Sequence, residues 1–307
     1  AIQHLIDELV VKEKKYWKTV KVGRTHLQDA TPLTFGQELS GYISALKHDL
    51  AYIRELKPTL YELAIGGTAV GTGLNAAPGM TEKIAGKLSE VYGHKFEVKT
   101  NKFWGLAHHS GLDVVHGALK TLAADMFKIA QDIRLLASGP RAGYHELNIP
   151  ANEPGSSIMP GKVNPTQAEA VTMAAAKVFG NDTTITFASS QGNFEMNVFK
   201  TVIIASFLDS CDILTGTITG FADKMIHGLT VNEERMDELL ENSLMTVTAF
   251  SPHIGYHAAA KIAQTADKEG TTLREAALKS GKVTEEQYDE WMDYMQMTNV
   301  DKSTPEE

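Results

Sequence analysis

Residues 151–165 have the sequence Ala-Asn-Glu-Pro-Gly-Ser-Ser-Ile-Met-Pro-Gly-Lys-Val-Asn-Pro. This stretch is predicted to be a loop, because its three prolines and two glycines cannot continue a helix or lie in the middle of a sheet. Long ordered loops in compact domains usually have a function. Ile158, Met159 and Val163 give the loop apolar anchors, which favours order over disorder.

A helix is predicted to begin where the loop ends. Asn164 suits the N-cap, Pro165 suits the first helical position, and Gln167 stands where a capping box places Glu or Gln. Free backbone N–H groups and the helix dipole favour an anion at such a helix start.

Three side chains of the loop carry chemistry. Lys162 adds a full positive charge beside the predicted helix start, and Ser156 and Ser157 add two hydroxyl groups. The stretch therefore predicts a carboxylate or phosphate site with a possible nucleophile or base.

Two alternatives compete with that interpretation. An ordinary connection between helices accounts for the composition equally well. A phosphate-binding P-loop does not fit, because five residues separate Gly155 from Gly161 and Val163 replaces the magnesium-binding Ser or Thr. No strand pattern precedes the stretch either.

The remaining chain is predicted to be mostly helical, from apolar residues at three- and four-residue intervals. The segment 197–226 is apolar nearly all round, which is typical of a helix inside a bundle or at a subunit interface. Pro58 is expected to kink or end the helix that contains it. The predicted long helices are 1–19, 34–63 (capped by Thr31 or Thr34), 111–137, 166–189 and 197–226. From residue 228 shorter helices follow, and residues 301–307 are expected to fray.

Composition narrows the classes of partner. The 307 residues carry a net charge of −9, which argues against nucleic acid or an anionic membrane as partner. One cysteine, Cys211, excludes a disulfide framework and fits a reducing compartment. No apolar run is expected to reach membrane-spanning length and no signal peptide is recognised, so a cytoplasmic location is expected. Adjacent histidines such as His108 and His109 diverge on a helix, so neither a metal nor another cofactor is assigned.

Four segments resemble the fumarase/aspartase superfamily, and specifically its class II fumarases, in the family's order. They are the loop Gly155-Ser-Ser-Ile-Met-Pro-Gly-Lys-Val-Asn-Pro165, Gly23-Arg-Thr-His-Leu-Gln-Asp-Ala-Thr-Pro32, Gly66-Gly-Thr-Ala-Val-Gly-Thr-Gly-Leu-Asn75 and Gly192-Asn-Phe-Glu-Met-Asn197. The resemblance covers essentially the whole chain. It implies reversible hydration of fumarate to malate through an aci-carboxylate intermediate, by a lyase without a cofactor that binds a small dicarboxylate.

The predicted architecture is an all-α fold whose long helices join, by resemblance, a multi-subunit helical core. The change to shorter helices near residue 227 predicts a central domain over residues 1–227 and a small helical domain over residues 228–307. A homotetramer is the implied assembly.

Site roles follow from the resemblance, position by position. Ser156 matches the family's base, and Lys162 and Asn164 match contacts to a substrate carboxylate, with Ser157 beside them. A serine is a poor base unless nearby donors lower the pKa of its hydroxyl, as the following backbone N–H groups and Lys162 would.

Thr25 and His26 match the residues that, in the family, lie at the second face of the substrate. His26 would position or protonate the departing water. Glu169 resembles the carboxylate that fixes the histidine tautomer. Simple complementarity between Glu169 and the helix dipole is the alternative role for that carboxylate.

Other activities stay open. Aspartate ammonia-lyases of the superfamily typically carry Gln at the position of His26 and Ala at that of Gly161. A non-catalytic helical scaffold would explain most of the apolar pattern, although retention of the site residues argues against it. Ala168, often Cys in fumarases, and Trp104-Gly105, often Glu-Ala, depart from the family pattern.

Ala1 opens an uncapped helix, and two substrate-contacting blocks typical of the family's N-terminal segment do not occur in the 307 residues. By resemblance each site combines three subunits, and that segment supplies one contribution. The chain alone is therefore expected to be weakly active or inactive.

Overall fold

The computed structural model describes residues 1–305, and it confirms the all-α class. The helices are α1 Ile2–Lys15, α2 Phe35–Leu56, α3 Met80–Tyr92, α4 Lys102–Ala107, α5 Ser110–Leu136, α6 Thr166–Ser189, α7 Lys200–Phe221, α8 Glu233–Asn242, α9 Ser251–Ile254, α10 Tyr256–Glu269, α11 Leu273–Lys279, α12 Glu285–Trp291 and α13 Tyr294–Met297. The strands are β1 Val20–Lys21, β2 Arg24–Thr25, β3 Gln28–Asp29, β4 Leu33–Thr34, β5 Glu62–Leu63, β6 Glu97–Val98, β7 Leu147–Asn148 and β8 Thr230–Val231.

The strands form isolated pairs. β1 pairs with β4, β2 with β3, and β7 with β8, all antiparallel, whereas β5 and β6 run parallel. The stretch 23–32 therefore contains a small hairpin flanked by a second strand pair.

Contacts divide the chain into two compact units. The first comprises Ala1–Leu5, Ala45–Asp132 and Thr166–Asp223, and the second comprises Ile6–Ser44, Ile133–Pro165 and the chain from Lys224 onward. The predicted domain boundary after residue 227 stays a prediction.

A buried polar network joins α5, α6 and α7 in the first unit. His116 accepts or donates at both ring nitrogens, to Asp182 at 2.9 Å and to Ser210 Oγ at 2.8 Å. Asn181 donates to Ser210 Oγ at 3.0 Å, and Lys120 donates to Asp182 at 2.7 Å. Because each buried polar group has a partner here, the network fixes the register of the three helices.

Helix α7 and the π-helical turn Ala222–Ile226 that follows are together long and apolar enough to cross a membrane, by length and composition. This corrects the expectation that no such segment exists. The middle of α7 carries Asp209, Ser210 and Asp212, and Asp209 pairs with Lys177 at 3.0 Å. A bundle helix therefore accounts for the segment, since charges in a membrane span are costly.

The second unit has its own apolar core in its C-terminal part. Phe250 lies at its centre and meets the rings of Tyr288 and Trp291 edge-on. Buried side chains of α10 and α11 complete this core.

Helix ends follow the predicted signals in several places. Thr34 and Gln37 form a reciprocal capping box at the start of α2, at 2.9 and 3.1 Å. The helix ends at Leu56, just before Pro58, as expected. Residues 301–307 were predicted to fray, but Val300–Lys302 form a 3₁₀ turn. Residues 306 and 307 of that predicted segment lie outside the described residues.

Candidate active site

The loop 151–165 closes on itself at its base. Asn164 donates its side-chain amide to the carbonyl of Gly155 at 2.6 Å. A Cβ atom added at Gly155 would lie 1.9 Å from the carbonyl oxygen of Lys162, so only glycine fits this close approach. The loop is thus a built structure and not a slack connection.

Ser156 directly follows Gly155, at the closed base of the loop. Its Oγ accepts hydrogen bonds from the backbone N–H groups of Ile158 at 3.2 Å and Met159 at 3.1 Å. Two donors aimed at one hydroxyl oxygen stabilise its deprotonated form, because hydrogen bonds to a charged form favour that form. The same geometry is found in ordinary serine turns.

The other loop residues are placed as follows. Ser157 and Lys162 are exposed on the loop surface, and Asn164 is half-buried at its base. Helix α6 begins at Thr166, which agrees with the predicted helix 166–189 and lies one residue after Pro165, the first helical position that the capping signals give. The amide nitrogen of Asn164 closes the loop at Gly155.

Thr25 and His26 lie on the β2–β3 hairpin. His26 and Leu27 form its two-residue turn, and both have positive φ, 56° and 59°. Two central residues with positive φ define a type I′ turn, which usually needs Asn and Gly. Non-glycine residues held there are strained, and such strain concentrates at functional sites. Both Thr25 and His26 are exposed.

A buried ion cluster anchors this hairpin. Arg24 donates two parallel hydrogen bonds to Glu146, at 3.1 and 2.9 Å, and its guanidinium lies over the ring of Tyr144, 4.3 Å from the centroid. Lys21 lies 3.4 Å from the same carboxylate and 2.9 Å from Glu38. Glu146 is fully buried. The cluster fixes the hairpin against the segment that leads into the loop 151–165.

Electrostatics in this cluster favour the charged form of the arginine. Burial alone would lower the pKa of Arg24, but the hydrogen bonds and the charge of Glu146 outweigh it and raise that pKa above its ordinary value. The charge of Arg24 is thus neutralised inside the protein by Glu146. The positive charge that remains near the predicted site residues is that of Lys162 on the loop 151–165. Glu146 carries no motif and lies 122 residues from Arg24, so no pattern in the sequence points to it.

Glu169 lies in the first turn of α6, in the first unit, whereas Ser156, Lys162, Asn164, Thr25 and His26 belong to the second. Among residues 1–305 no hydrogen bond joins Thr25 or His26 to the loop. The predicted pairing of His26 with Glu169 stays a prediction. In the same described part, no group of three or more His, Cys, Asp or Glu side chains could hold a metal ion.

Trp104 and Gly105, noted as departures in the sequence, have a local explanation. Lys99 lies over the Trp104 ring, 3.7 Å from its centroid. A Cβ atom at Gly105 would lie 2.8 Å from side-chain atoms of Ala64 and of Lys99, so glycine makes room for this stacking. The two replacements are therefore structurally linked.

Comparison with known proteins gives consistent matches. A family model described as "Lyase" matches residues 1–180, and one described as "Fumarase C C-terminus" matches residues 247–299. The chain is 55% identical over 292 residues to the class II fumarate hydratase of Listeria monocytogenes serovar 1/2a, covering 95% of this chain and 64% of that protein. It is 57% identical over 299 residues to the class II fumarate hydratase of Halalkalibacterium halodurans, covering 97% and 65%.

The fold agrees with these matches. The recombinant class II fumarase of Schistosoma mansoni superposes with a TM-score of 0.94 at 41% identity, over 97% of this chain and 65% of that one. The chain thus spans a little under two thirds of the length of the proteins it resembles.

Proposed function

The chain belongs to the fumarase/aspartase superfamily of lyases, and on that premise we propose that its site catalyses the reversible hydration of fumarate to malate. Dehydration of malate removes a weakly acidic proton beside a carboxylate and expels the hydroxyl group from the neighbouring carbon. The doubly charged aci-carboxylate formed in between is the species that the site must stabilise.

The geometry around Ser156 is the observation that carries this proposal. An alkoxide base needs donors that stabilise its charge, and the N–H groups of Ile158 and Met159 supply two within 3.2 Å. In the proposed reaction the serine alkoxide takes the proton from carbon and becomes a neutral hydroxyl group. The two N–H groups stabilise the negative charge of the alkoxide before this step.

The neighbouring residues complete the proposed mechanism. Lys162 and Asn164 bind the carboxylate on which negative charge accumulates, and Ser157 contributes a hydroxyl beside them. On the opposite face Thr25 and His26 hold and protonate the departing hydroxide. Family membership supports these roles.

We further propose that Glu169 fixes the tautomer of His26 and that the active assembly is a homotetramer in the cytoplasm, with a small dicarboxylate as substrate. Lys162 has no ion pair among the described residues, so its charge is free for a carboxylate. Aspartate and argininosuccinate are the substrates that would distinguish related lyases.

The test is fumarate formation from L-malate, followed by ultraviolet absorbance. It uses the 307-residue chain alone and joined to the segment of the Listeria protein that lies outside the match. Activity is expected in the joined protein, with malate and not with aspartate or argininosuccinate. In that joined protein Ser156→Ala should lower turnover by more than about tenfold, roughly 1.4 kcal/mol in barrier.

Ser303→Ala, a serine near the C-terminus, serves as the matched control and should keep the parent rate. Turnover of aspartate in place of malate would reassign the substrate. An undiminished rate in Ser156→Ala would remove that serine from the role of base.

A further inference from the structure

A separate cavity of about 250 Å³ opens between α10 and α11. Its floor is apolar, because Ile262 and Ala276 belong to the C-terminal core and are almost fully buried. Its rim is formed by three exposed lysines, Lys261, Lys279 and Lys282. A cavity with an apolar floor and a few polar groups at its rim has the character of a small-molecule site.

The charge of this rim is opposite to that of the whole chain. The chain has 38 acidic and 29 basic side chains, yet every charged residue that lines the cavity is a lysine. Lys279 pairs with Glu269 at 2.7 Å. Within residues 1–305, Lys261 and Lys282 have no ion pair. Two unpaired positive charges therefore face one small apolar cavity on an acidic protein.

The backbone fixes the turn that brings two of these lysines to the same rim. Gly281 follows α11 with a φ of +67°, a conformation that favours glycine and reverses the chain. The backbone N–H of Lys282 donates to Ser280 Oγ at 3.1 Å, and Ser280 donates to the carbonyl of Ala277 at 2.6 Å. The backbone of Lys282 is thus fixed at the end of α11 before any ligand binds.

We propose that this cavity binds a small phosphomonoester with an apolar body. The two unpaired ammonium groups match the two negative charges of one phosphate head, whereas a monocarboxylate would leave one of them unpaired. The volume is slightly below the range of roughly 300–1,000 Å³ found for ligand pockets, which limits the body to about one ring. This site is independent of the proposed hydratase chemistry.

Isothermal titration calorimetry of the 307-residue chain with phenyl phosphate tests the proposal. Binding is expected with a Kd of about 1 mM or below. Phenol, which lacks the phosphate, and inorganic phosphate, which lacks the ring, should each bind at least about tenfold more weakly. Benzoate binding as tightly as phenyl phosphate would overturn the assignment of a phosphate head.

The double variant Lys261→Ala/Lys282→Ala should weaken phenyl phosphate binding by about tenfold or more, 1.4 kcal/mol. The control Lys268→Ala/Lys302→Ala removes the same charge from lysines that do not line the cavity, and it should stay within about twofold of the parent. Circular dichroism checks that both variants fold. Equal weakening in the two variants, or no heat of binding in the parent chain at ~10 mM ligand, would refute the site.

Discussion

The carboxylate of Glu146 pairs with two cations, Arg24 and Lys21, beneath the turn that carries His26, and Lys21 pairs with Glu38 as well. The side chain of Glu146 is fully buried, and those of Arg24 and Lys21 are 11% and 3% exposed. Removing one partner of a buried cluster leaves uncompensated charge in a low-dielectric interior. We expect Glu146→Gln to lower the free energy of unfolding by about 3–5 kcal/mol, measured by urea denaturation at pH 7.

Glu285→Gln supplies the matched control, because Glu285 also pairs with an arginine, Arg274, but is largely exposed. Solvent screens that pair, so its loss should be much smaller. Equal losses in the two variants would show that the cluster around Glu146 is not what holds the hairpin.

For single residues, the sequence predicts which side chains belong to the candidate site better than it predicts the hydrogen-bond and ion-pair partners of those side chains. Proline, glycine and charge content single out the loop, and the resemblance adds roles for Ser156 and His26. The two N–H donors to Ser156 depend on the backbone dihedrals of the residues that follow, which composition does not determine. The partner of Arg24 depends on tertiary packing, because no local pattern relates positions so far apart in sequence.

Between the helices α2 and α5 of the first unit, the buried carboxyl group of Asp49 makes stability depend on pH. Asp49 on α2 is almost fully buried, and its Oδ2 has no hydrogen-bond partner among the described residues. Burial first, and then the charge of Asp125 on α5, raises the pKa of Asp49 to about 7, while His48 acts in the opposite direction. The folded protein therefore retains a proton that the unfolded chain releases near pH 4.

The sign of the effect follows from this difference in proton binding. Stability contributed by the protonated Asp49 is fully present below about pH 4 and is lost as the pH rises to about 7. We expect the free energy of unfolding to fall by up to about 1.4 kcal/mol per pH unit in that window. Asp49→Asn should abolish that slope in urea denaturation at pH 5, 6 and 7, and exposed Asp237→Asn should retain it. An unchanged slope in Asp49→Asn would refute this origin.

Long helices were predictable because periodicity and end signals agree. Helix α6 has the bounds 166–189 that the sequence predicts, and Thr34 caps α2. The hairpin was missed for a physical reason, since its turn residues His26 and Leu27 lack the Asn-Gly signature of positive φ. Two-residue strands are also too short to show alternation.

At the scale of the whole molecule, α7 presents two different surfaces. Ile203, Phe207 and Leu214 are buried within the first unit. Val202, Ile204 and Leu208 remain 38%, 41% and 53% exposed. Only some of the apolar side chains around α7 are therefore buried within the chain. The sequence does not determine what covers the others.

A second copy of the helix would cover the aliphatic side chains of this surface. We therefore predict a homotetramer, with a mass of four 33.5 kDa chains by light scattering at micromolar concentration. Leu208→Lys places an ammonium group in that contact, where desolvation opposes association, and should shift the mass towards that of the monomer. Val91→Lys makes a comparable change at an exposed position on α3, 63% exposed, and should leave the mass unchanged. A monomeric parent chain, or a Leu208→Lys variant with the parent mass, would show that α7 is not the surface through which copies associate.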